Sequence, residues 1–286
     1  MSTSGSTESQ RPRPVDAAFF DLDKTIIAKA SMAAFRGPLY DGGVLTKRAI
    51  VRALFAQLVY LHLGASEVRL HRIRTALLKV TKGWDRTAVR TIVDEALERV
   101  VDPIIYSEAI DLIEQHRAAG QYVVIVSASP EEIVVPLARY LGVDATIASR
   151  AAVDEAGRYT GEMAFYAYGP FKADAIRELA AERALDLDGS YAYSDSISDL
   201  PMLEAVGHPV VVNPDRLLAN LARDRGWQVK NFVRPVRLRD RVRDRVSSSP
   251  GPSIALRVGA IAAGTAALVA GWWLGVRHVQ LPGRGE

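Results

Sequence analysis

The segment DLDKT, residues 21–25, sets two carboxylates, Asp21 and Asp23, one residue apart directly after an apolar run. Carboxylates that close repel one another, and they persist in a crevice when a cation neutralises them. Other polar groups follow apolar runs further along the chain. Ser127 lies in VIVSAS, and Asp195 and Asp199 lie in SDSISD (194–199) just after YAYS. Lys172 opens a helical pattern in GPFKADAI. Asp21, Asp195 and Asp199 offer the hard oxygen donors that Mg²⁺ favours. A carboxylate beside that ion can attack phosphorus, because the metal draws charge from the phosphoryl oxygens. A second carboxylate two residues on can protonate a leaving alkoxide and then activate water.

Such chemistry needs the groups brought to one crevice, and the hydrophobic pattern supplies the means. Residues 15–20 (VDAAFF), 122–126 (YVVIV), 191–194 (YAYS) and 209–212 (PVVV) read as short buried strands. Helical patterns lie between them at about 106–118, 130–141, 171–184 and 199–205. Strands alternating with helices predict an α/β fold with a parallel sheet covered on both faces. Ligands of such sheets bind at the carboxyl ends of the strands, where Asp21, Ser127 and Asp195 fall. The interval from about 31 to 103 holds no convincing strand; apolar residues recur at helical spacing over 49–63, 67–81 and 85–101. A small hairpin is expected over 151–162, around Gly157, and a last helix and an edge strand over 214–229.

In order and spacing, DLDKT, the strand-end Ser127, Lys172 and SDSISD resemble the four motifs of the haloacid dehalogenase-like (HAD) phosphohydrolases. The helical insertion after the first motif looks like the cap of subfamily IB, the phosphoserine-phosphatase-like branch. The resemblance covers roughly residues 15–225. It implies a Rossmann-like parallel sheet core with an all-helical cap inserted after the first strand. It implies a Mg²⁺-dependent phosphomonoester hydrolase acting through an aspartyl-phosphate. Asp21 would be the nucleophile and Asp23 the general acid/base, with its backbone carbonyl on the metal. Thr25 and Ser127 would bind phosphate oxygens. Lys172 would neutralise the nucleophile and the transferring group. Asp195 would ligate Mg²⁺, and Asp199 would support that shell or join it. Ser194 stands where the fourth motif usually has Gly, and Ser198 where those phosphatases commonly have Asn. Those enzymes also carry a Glu nine residues after the nucleophile, which pairs with the substrate's amino group. Here Ala30 takes that place, between Lys29 and Ser31, so serine specificity does not carry over with the chemistry.

Each residue taken alone has a plainer reading. An Asp-x-Asp pair serves as a turn, or as the metal motif of a glycosyltransferase. Ser127 is a helix cap, Lys172 a solvated helix-start lysine, and Asp199 the cap of the following helix. Asn213 reads as a turn residue, and His62, His71 and His116 as packing or surface groups. Phe165, Tyr166 and Tyr168 line the crevice or pack elsewhere. Two further functions stay open at this level: a catalytically idle scaffold and a metal-dependent glycosyltransferase, the latter with no role for Lys172.

The 286 residues suffice for one large or two modest domains, and 49% hydrophobic residues support a substantial core. The absence of cysteine excludes a disulfide framework and a thiolate metal site. Net charge is only +3, but RPVRLRDRVRDR (234–245) sets six arginines against two aspartates. That block lacks interleaved aromatics, so no nucleic-acid partner is expected. From Val258 to Val276 the chain runs 19 residues without a charge, a helix of roughly 28 Å if it forms one. A single-pass C-terminal transmembrane helix is therefore expected at 254–276, with the arginines facing anionic lipid and the catalytic domain cytoplasmic. The expected organisation is a disordered N-terminus (1–14), a catalytic core (15–30 and 104–230) and a helical cap (31–103). A basic linker (231–253), the span and a short tail (277–286) complete it. The expected substrate is a small phosphate ester, or a phospholipid headgroup or lipid precursor if the domain sits at the bilayer.

Overall fold

A computed structural model of the chain describes residues 14–44 and 78–233. Seven strands form one sheet: β1 (Val15–Phe20), β2 (Tyr122–Pro130), β3 (Ala145–Val153), β4 (Tyr159–Phe165), β5 (Leu185–Ser194), β6 (His208–Val212) and β7 (Gln228–Lys230). Their order is β4-β3-β2-β1-β5-β6-β7, and every neighbouring pair is parallel except the antiparallel β3–β4. The first strand is thus central. The chain winds outward from it through β2 to β4, then returns to its other side with β5. Such a switch point leaves a crevice at the carboxyl ends of β1 and its neighbours.

Both faces of β1 are dry, and its side chains alternate between them as the pleat requires. Ala18 and Phe20 enter one apolar cluster with Val123 and Ile125 of β2. Ala17 and Phe19 enter the other with Val124 and Val126. The first cluster is closed by α4 (Ser107–Ala118) and α5 (Glu131–Leu141), the second by α6 (Pro170–Arg183), α7 (Leu200–Leu203) and α8 (Arg216–Arg225).

The described parts of the insertion are helical: α1 (Ser31–Ala34), α2 (Arg36–Asp41) and α3 (Arg86–Val101). The apolar stripe of α3 (Val89, Val93, Ala96, Leu97, Val101) joins the same buried cluster as Phe20, and α3 packs on α5. This helix is therefore seated on the core. The expected hairpin is present, with Gly157 at φ 75° in its turn, but it is longer than the sequence signals. Its first strand begins at Ala145, where the run ATIAS pairs with β2 before the hairpin starts.

The expected helical patterns over 49–63 and most of 67–81 lie outside the described residues, as do almost all of the N-terminal stretch, the basic block, the tail and the segment 254–276. The expectation of a single-pass membrane protein with a cytoplasmic catalytic domain is corrected here. Among the described residues no helix is long and apolar enough to cross a membrane. A membrane location, and the lipid substrate argued from it, are withdrawn.

Candidate active site

The site is assembled where β1, β2 and β5 end. Phe20, the last residue of β1, pairs with Ile125 on one side and Tyr193 on the other. The next backbone N–H, that of Asp21, donates to the Tyr193 carbonyl at 2.9 Å. One residue past the ends of β1 and β5 lie Asp21 and Asp195, and two residues past Ile125 along β2 lies Ser127. Past Asp21 the chain reverses sharply. Leu22 accepts backbone hydrogen bonds from Ile26 (2.9 Å) and Ile27 (3.1 Å), and Lys24 sits at φ 66°. A left-handed lysine is strained, and the surrounding turn has to hold it there. This turn places Asp23 and Thr25 beside Asp21 instead of leading the chain away.

Lys172 enters from α6, whose first turn begins with Gly169 at φ 57° and Pro170. Its ammonium is buried, donating to Asp21 Oδ1 at 2.7 Å and to Asp199 Oδ2 at 2.8 Å. Two carboxylates therefore share one ammonium. Ser194 adds a third bond, donating to Asp199 Oδ2 at 2.7 Å. Asp199 makes no side-chain capping bond to α7, so the capping alternative is not what its carboxylate does. Burial alone would lower the pKa of Lys172, but Asp21 and Asp199 outweigh it and raise it, so the lysine stays charged.

Lys172 does not hold the Asp21 carboxyl in its ordinary range. Burial pushes the Asp21 carboxyl up to about 8 against the pull of Lys172, and Asp199 and Asp23 add to the upward push. Burial likewise pushes Asp195 up to about 6, opposed by Lys24, whose exposed ammonium lies 3.8 Å from it. Asp23 is held otherwise: its Oδ1 accepts the Ser31 N–H at 2.7 Å and its Oδ2 accepts the Ser129 hydroxyl at 2.9 Å. Ser127 Oγ accepts the Ser129 N–H at 3.1 Å, which leaves its own proton to donate.

Thr25 is fully buried, and among the described residues its Oγ1 is the one buried side-chain polar atom without a hydrogen-bond partner. An orphaned hydroxyl in a dry site costs stability unless a ligand completes it. Thr25→Val is accordingly expected to leave the unfolding free energy unchanged or slightly higher, because no internal bond is lost. It is expected to lower kcat/KM about 10-fold or more, the worth of a hydrogen bond to a charged oxygen. Urea denaturation and steady-state kinetics on one preparation read both effects.

Asp21, Asp199 and Lys172 are thus in direct contact, Ser127 and Asp195 lie toward the carboxyl ends of β2 and β5, and Thr25 lies in the turn after β1. Lys29 is exposed and does not join them. Phe165 lies at the outer edge of the sheet under the Arg150 guanidinium, lining a separate cavity of about 360 Å³, and Tyr166 and Tyr168 stack on each other. His116 is buried in the core, bonded to Gln121 and to the Tyr193 hydroxyl. Burial lowers its pKa, so it is a neutral packing group.

Sequence reasoning missed the residues that support these groups. Ser31 and Ser129 grip Asp23, Ser194 grips Asp199, and Asp215 holds the 195–199 loop. The Asp215 carboxylate accepts the N–H of Ile197 at 2.8 Å and of Leu218 at 2.9 Å, and its own N–H donates to the Asp195 carbonyl at 2.7 Å. Asp215 was legible as an N-cap, since an Asp precedes the apolar-periodic run RLLANLA. The serines carry no such signal.

The donor set fits Mg²⁺. It is all oxygen, its acidic side chains Asp21, Asp23, Asp195 and Asp199 outnumber the one buried lysine, and the nearby turn carries an orphaned hydroxyl on Thr25. Among the described residues no three acidic or histidine side chains cluster closely enough to cage an ion by themselves. Mg²⁺ needs no such cage, because it binds through one or two carboxylates and keeps waters and substrate phosphate oxygens as its other ligands.

Comparison with known proteins agrees with this geometry. Residues 18–204 match the family of haloacid dehalogenase-like hydrolases. A Mycobacterium tuberculosis (strain H37Rv) protein named as a probable phosphatase is 52% identical over 260 residues, covering 91% of this chain and 88% of its own. A phosphoserine phosphatase of the same strain is 35% identical over 233 residues, covering 78% and 74%. The crystal structure of a Bordetella pertussis Tohama I protein of unknown function superposes with a TM-score of 0.66 at 28% identity, covering 76% of this chain and 98% of its own. The chain belongs to the haloacid dehalogenase-like hydrolase family.

Proposed function

We propose that this hydrolase is a phosphatase that cleaves a small phosphate monoester in two half-reactions on Asp21. The observation that carries the reading is the buried Lys172 ammonium shared by Asp21 and Asp199, together with the unpartnered hydroxyl of Thr25 in the turn that follows Asp21. Lys172 occupies Oδ1 of Asp21, which leaves Oδ2 as the attacking oxygen. In the first half-reaction Oδ2 bonds to phosphorus, the ester P–O bond breaks, and the Asp23 carboxyl gives its proton to the departing alkoxide. In the second, the Asp23 carboxylate takes a proton from water. The water oxygen bonds to phosphorus, and phosphate leaves with Asp21 regenerated. Thr25 and Ser127 donate to the phosphoryl oxygens, and Lys172 faces the charge that develops on them. Asp21, Asp195 and the Asp23 backbone carbonyl would hold Mg²⁺, with Asp199 supporting that shell. When bound, the ion supplies further charge neutralisation and polarises the phosphoryl group.

The identity of the ester is narrowed by one position. The phosphoserine phosphatase relative suggests an amino-acid phosphate. Here, however, Lys29, Ala30 and Ser31 offer no carboxylate to an amino group, and Ser31 is already engaged with Asp23. The expected substrate is a small phosphate ester for which an ammonium is no advantage.

The test is a panel of phosphate esters: 4-nitrophenyl phosphate, simple alkyl phosphates and O-phosphoserine. Turnover is expected with Mg²⁺, none in excess EDTA, and recovery on adding Mg²⁺ back, with phosphoserine no better than other alkyl esters. No hydrolysis of any ester under Mg²⁺ would favour the idle scaffold. Turnover of nucleotide sugars alone would favour the glycosyltransferase.

A further inference from the structure

Asp23 is gripped by groups from two other parts of the chain. Its Oδ1 accepts the backbone N–H of Ser31, the first residue of α1, at 2.7 Å. Its Oδ2 accepts the hydroxyl of Ser129, near the end of β2, at 2.9 Å. The Ser31 and Ser129 hydroxyls are 2.6 Å apart. Both serines are buried, at 0% and 5% exposure, so water does not compete for these bonds. A serine hydroxyl has one hydrogen to give. Ser129 spends it on Asp23, so Ser31 must donate into Ser129, and the chain runs one way from Ser31 through Ser129 to Asp23.

We infer that Ser129, backed by Ser31, is a positioning residue that fixes the Asp23 carboxyl in the orientation from which it serves the leaving group. The inference rests on the acid/base reading of Asp23 above. An aspartate has two side-chain torsions, and a carboxyl free to swing delivers its proton poorly. Holding a reacting group in its working geometry is a large part of what an active site contributes. Here the turn after β1 does not supply that hold. The Ser129 hydroxyl constrains one carboxyl oxygen, and the backbone N–H of Ser31 the other. Ser129 is fixed in turn by its own N–H, which donates to Ser127 Oγ at 3.1 Å. A phosphate-binding serine and the grip on the acid/base thus share one strand end. The plain alternative is that the Ser129 hydroxyl only satisfies buried polar groups, in which case its loss would weaken the fold and slow every substrate alike.

Leaving-group dependence separates the two. 4-Nitrophenolate departs without a proton, whereas an alkoxide needs one, so a misplaced Asp23 penalises alkyl esters selectively. The full chain with Mg²⁺ is assayed with 4-nitrophenyl phosphate and with an alkyl phosphate that it turns over. The ratio of kcat/KM, alkyl over aryl, is taken within each preparation. That ratio reports the phosphoryl transfer to Asp21 and is independent of the folded fraction. Asp23→Asn is expected to lower the ratio about 100-fold, as loss of a general acid does. Ser129→Ala is expected to lower it about 10-fold or more, and Ser129→Thr, which keeps the hydroxyl, to restore it to within about 3-fold. An unchanged ratio in Ser129→Ala alongside a lowered one in Asp23→Asn overturns the positioning role and leaves the acid role standing. A Ser129→Thr ratio as low as that of Ser129→Ala also overturns it, because the hydroxyl is then not the agent. An unchanged ratio in Asp23→Asn removes the acid role itself, and this inference with it.

Discussion

Asp21→Asn is expected to abolish phosphate-ester hydrolysis, by roughly 10⁴-fold or more, while leaving the fold intact or slightly stabilised. The substitution is isosteric, and an amide oxygen still accepts from Lys172, but it offers no carboxylate to attack phosphorus. The stability side follows from the charges. Asp21 is buried beside Asp199 and Asp23, and its pKa is pushed up to about 8 chiefly by that burial. Removing its charge relieves repulsion, and Lys172 keeps Asp199 as partner at 2.8 Å. Loss of function with stability kept is the mark of a group retained for chemistry. Turnover with Mg²⁺ and a urea unfolding curve test both halves. Acid-quenched wild-type protein should also carry phosphate from a labelled substrate, and the variant none. A variant holding more than about 1% of wild-type turnover would remove Asp21 from the reaction.

Lys172→Met should damage both properties. It leaves Asp21 and Asp199 buried at 6% and 3% exposure with no cation between them. Breaking a buried ion pair from one side costs about 3–5 kcal/mol, because the surviving charge is left uncompensated. Here two survive. The pH dependence has a definite sign. Lys172 is what opposes the effect of burial on Asp21, so without it the Asp21 carboxyl is held further above its ordinary pKa. That carboxyl is neutral and tolerated at low pH and becomes a burden as pH rises through its folded-state value. The deficit relative to wild type, measured in EDTA, should therefore be larger at pH 8 than at pH 5. Activity should fall about 10³-fold or more, since the charge facing the phosphoryl oxygens goes with the ammonium. Adding Asp199→Asn should recover part of the stability and none of the activity. A Lys172→Met protein as stable as wild type at pH 8 would mean that the ammonium does not neutralise this pair.

The periodicity of the sequence carried most of the sheet. β1, β6 and the first part of β2 are short runs whose alternate residues face two dry clusters, so nearly every position is apolar and the strand stands out, whereas β5 showed only its last residues, because it begins at Leu185 in the polar stretch LDLDGS. The first half of β3 did not stand out, because ATIAS mixes small and polar residues and is a strand only by pairing with β2. The strained Lys24 was equally invisible: the aspartates of DLDKT allow a turn, but the left-handed residue is the lysine, which has no local preference for that conformation, and the tight turn imposes it. The membrane expectation failed for another reason. It was argued from the length of an apolar segment, and no membrane-spanning helix exists among the described residues to support it.

Sequence alone determined where the candidate groups for the chemistry lie along the chain. Asp21, Ser127, Lys172 and Asp195 each sit where an apolar strand or a helix begins or ends, and strand ends in a parallel sheet converge whatever the details of packing. Only the tertiary structure decided what those groups do to one another. That Lys172 serves two carboxylates, that Thr25 is left without a partner, and that two serines 98 residues apart grip Asp23 are facts of distances across the fold. Hydrogen bonds and buried charges depend on ångström separations between side chains remote in the chain, and no local pattern of residue types encodes those separations.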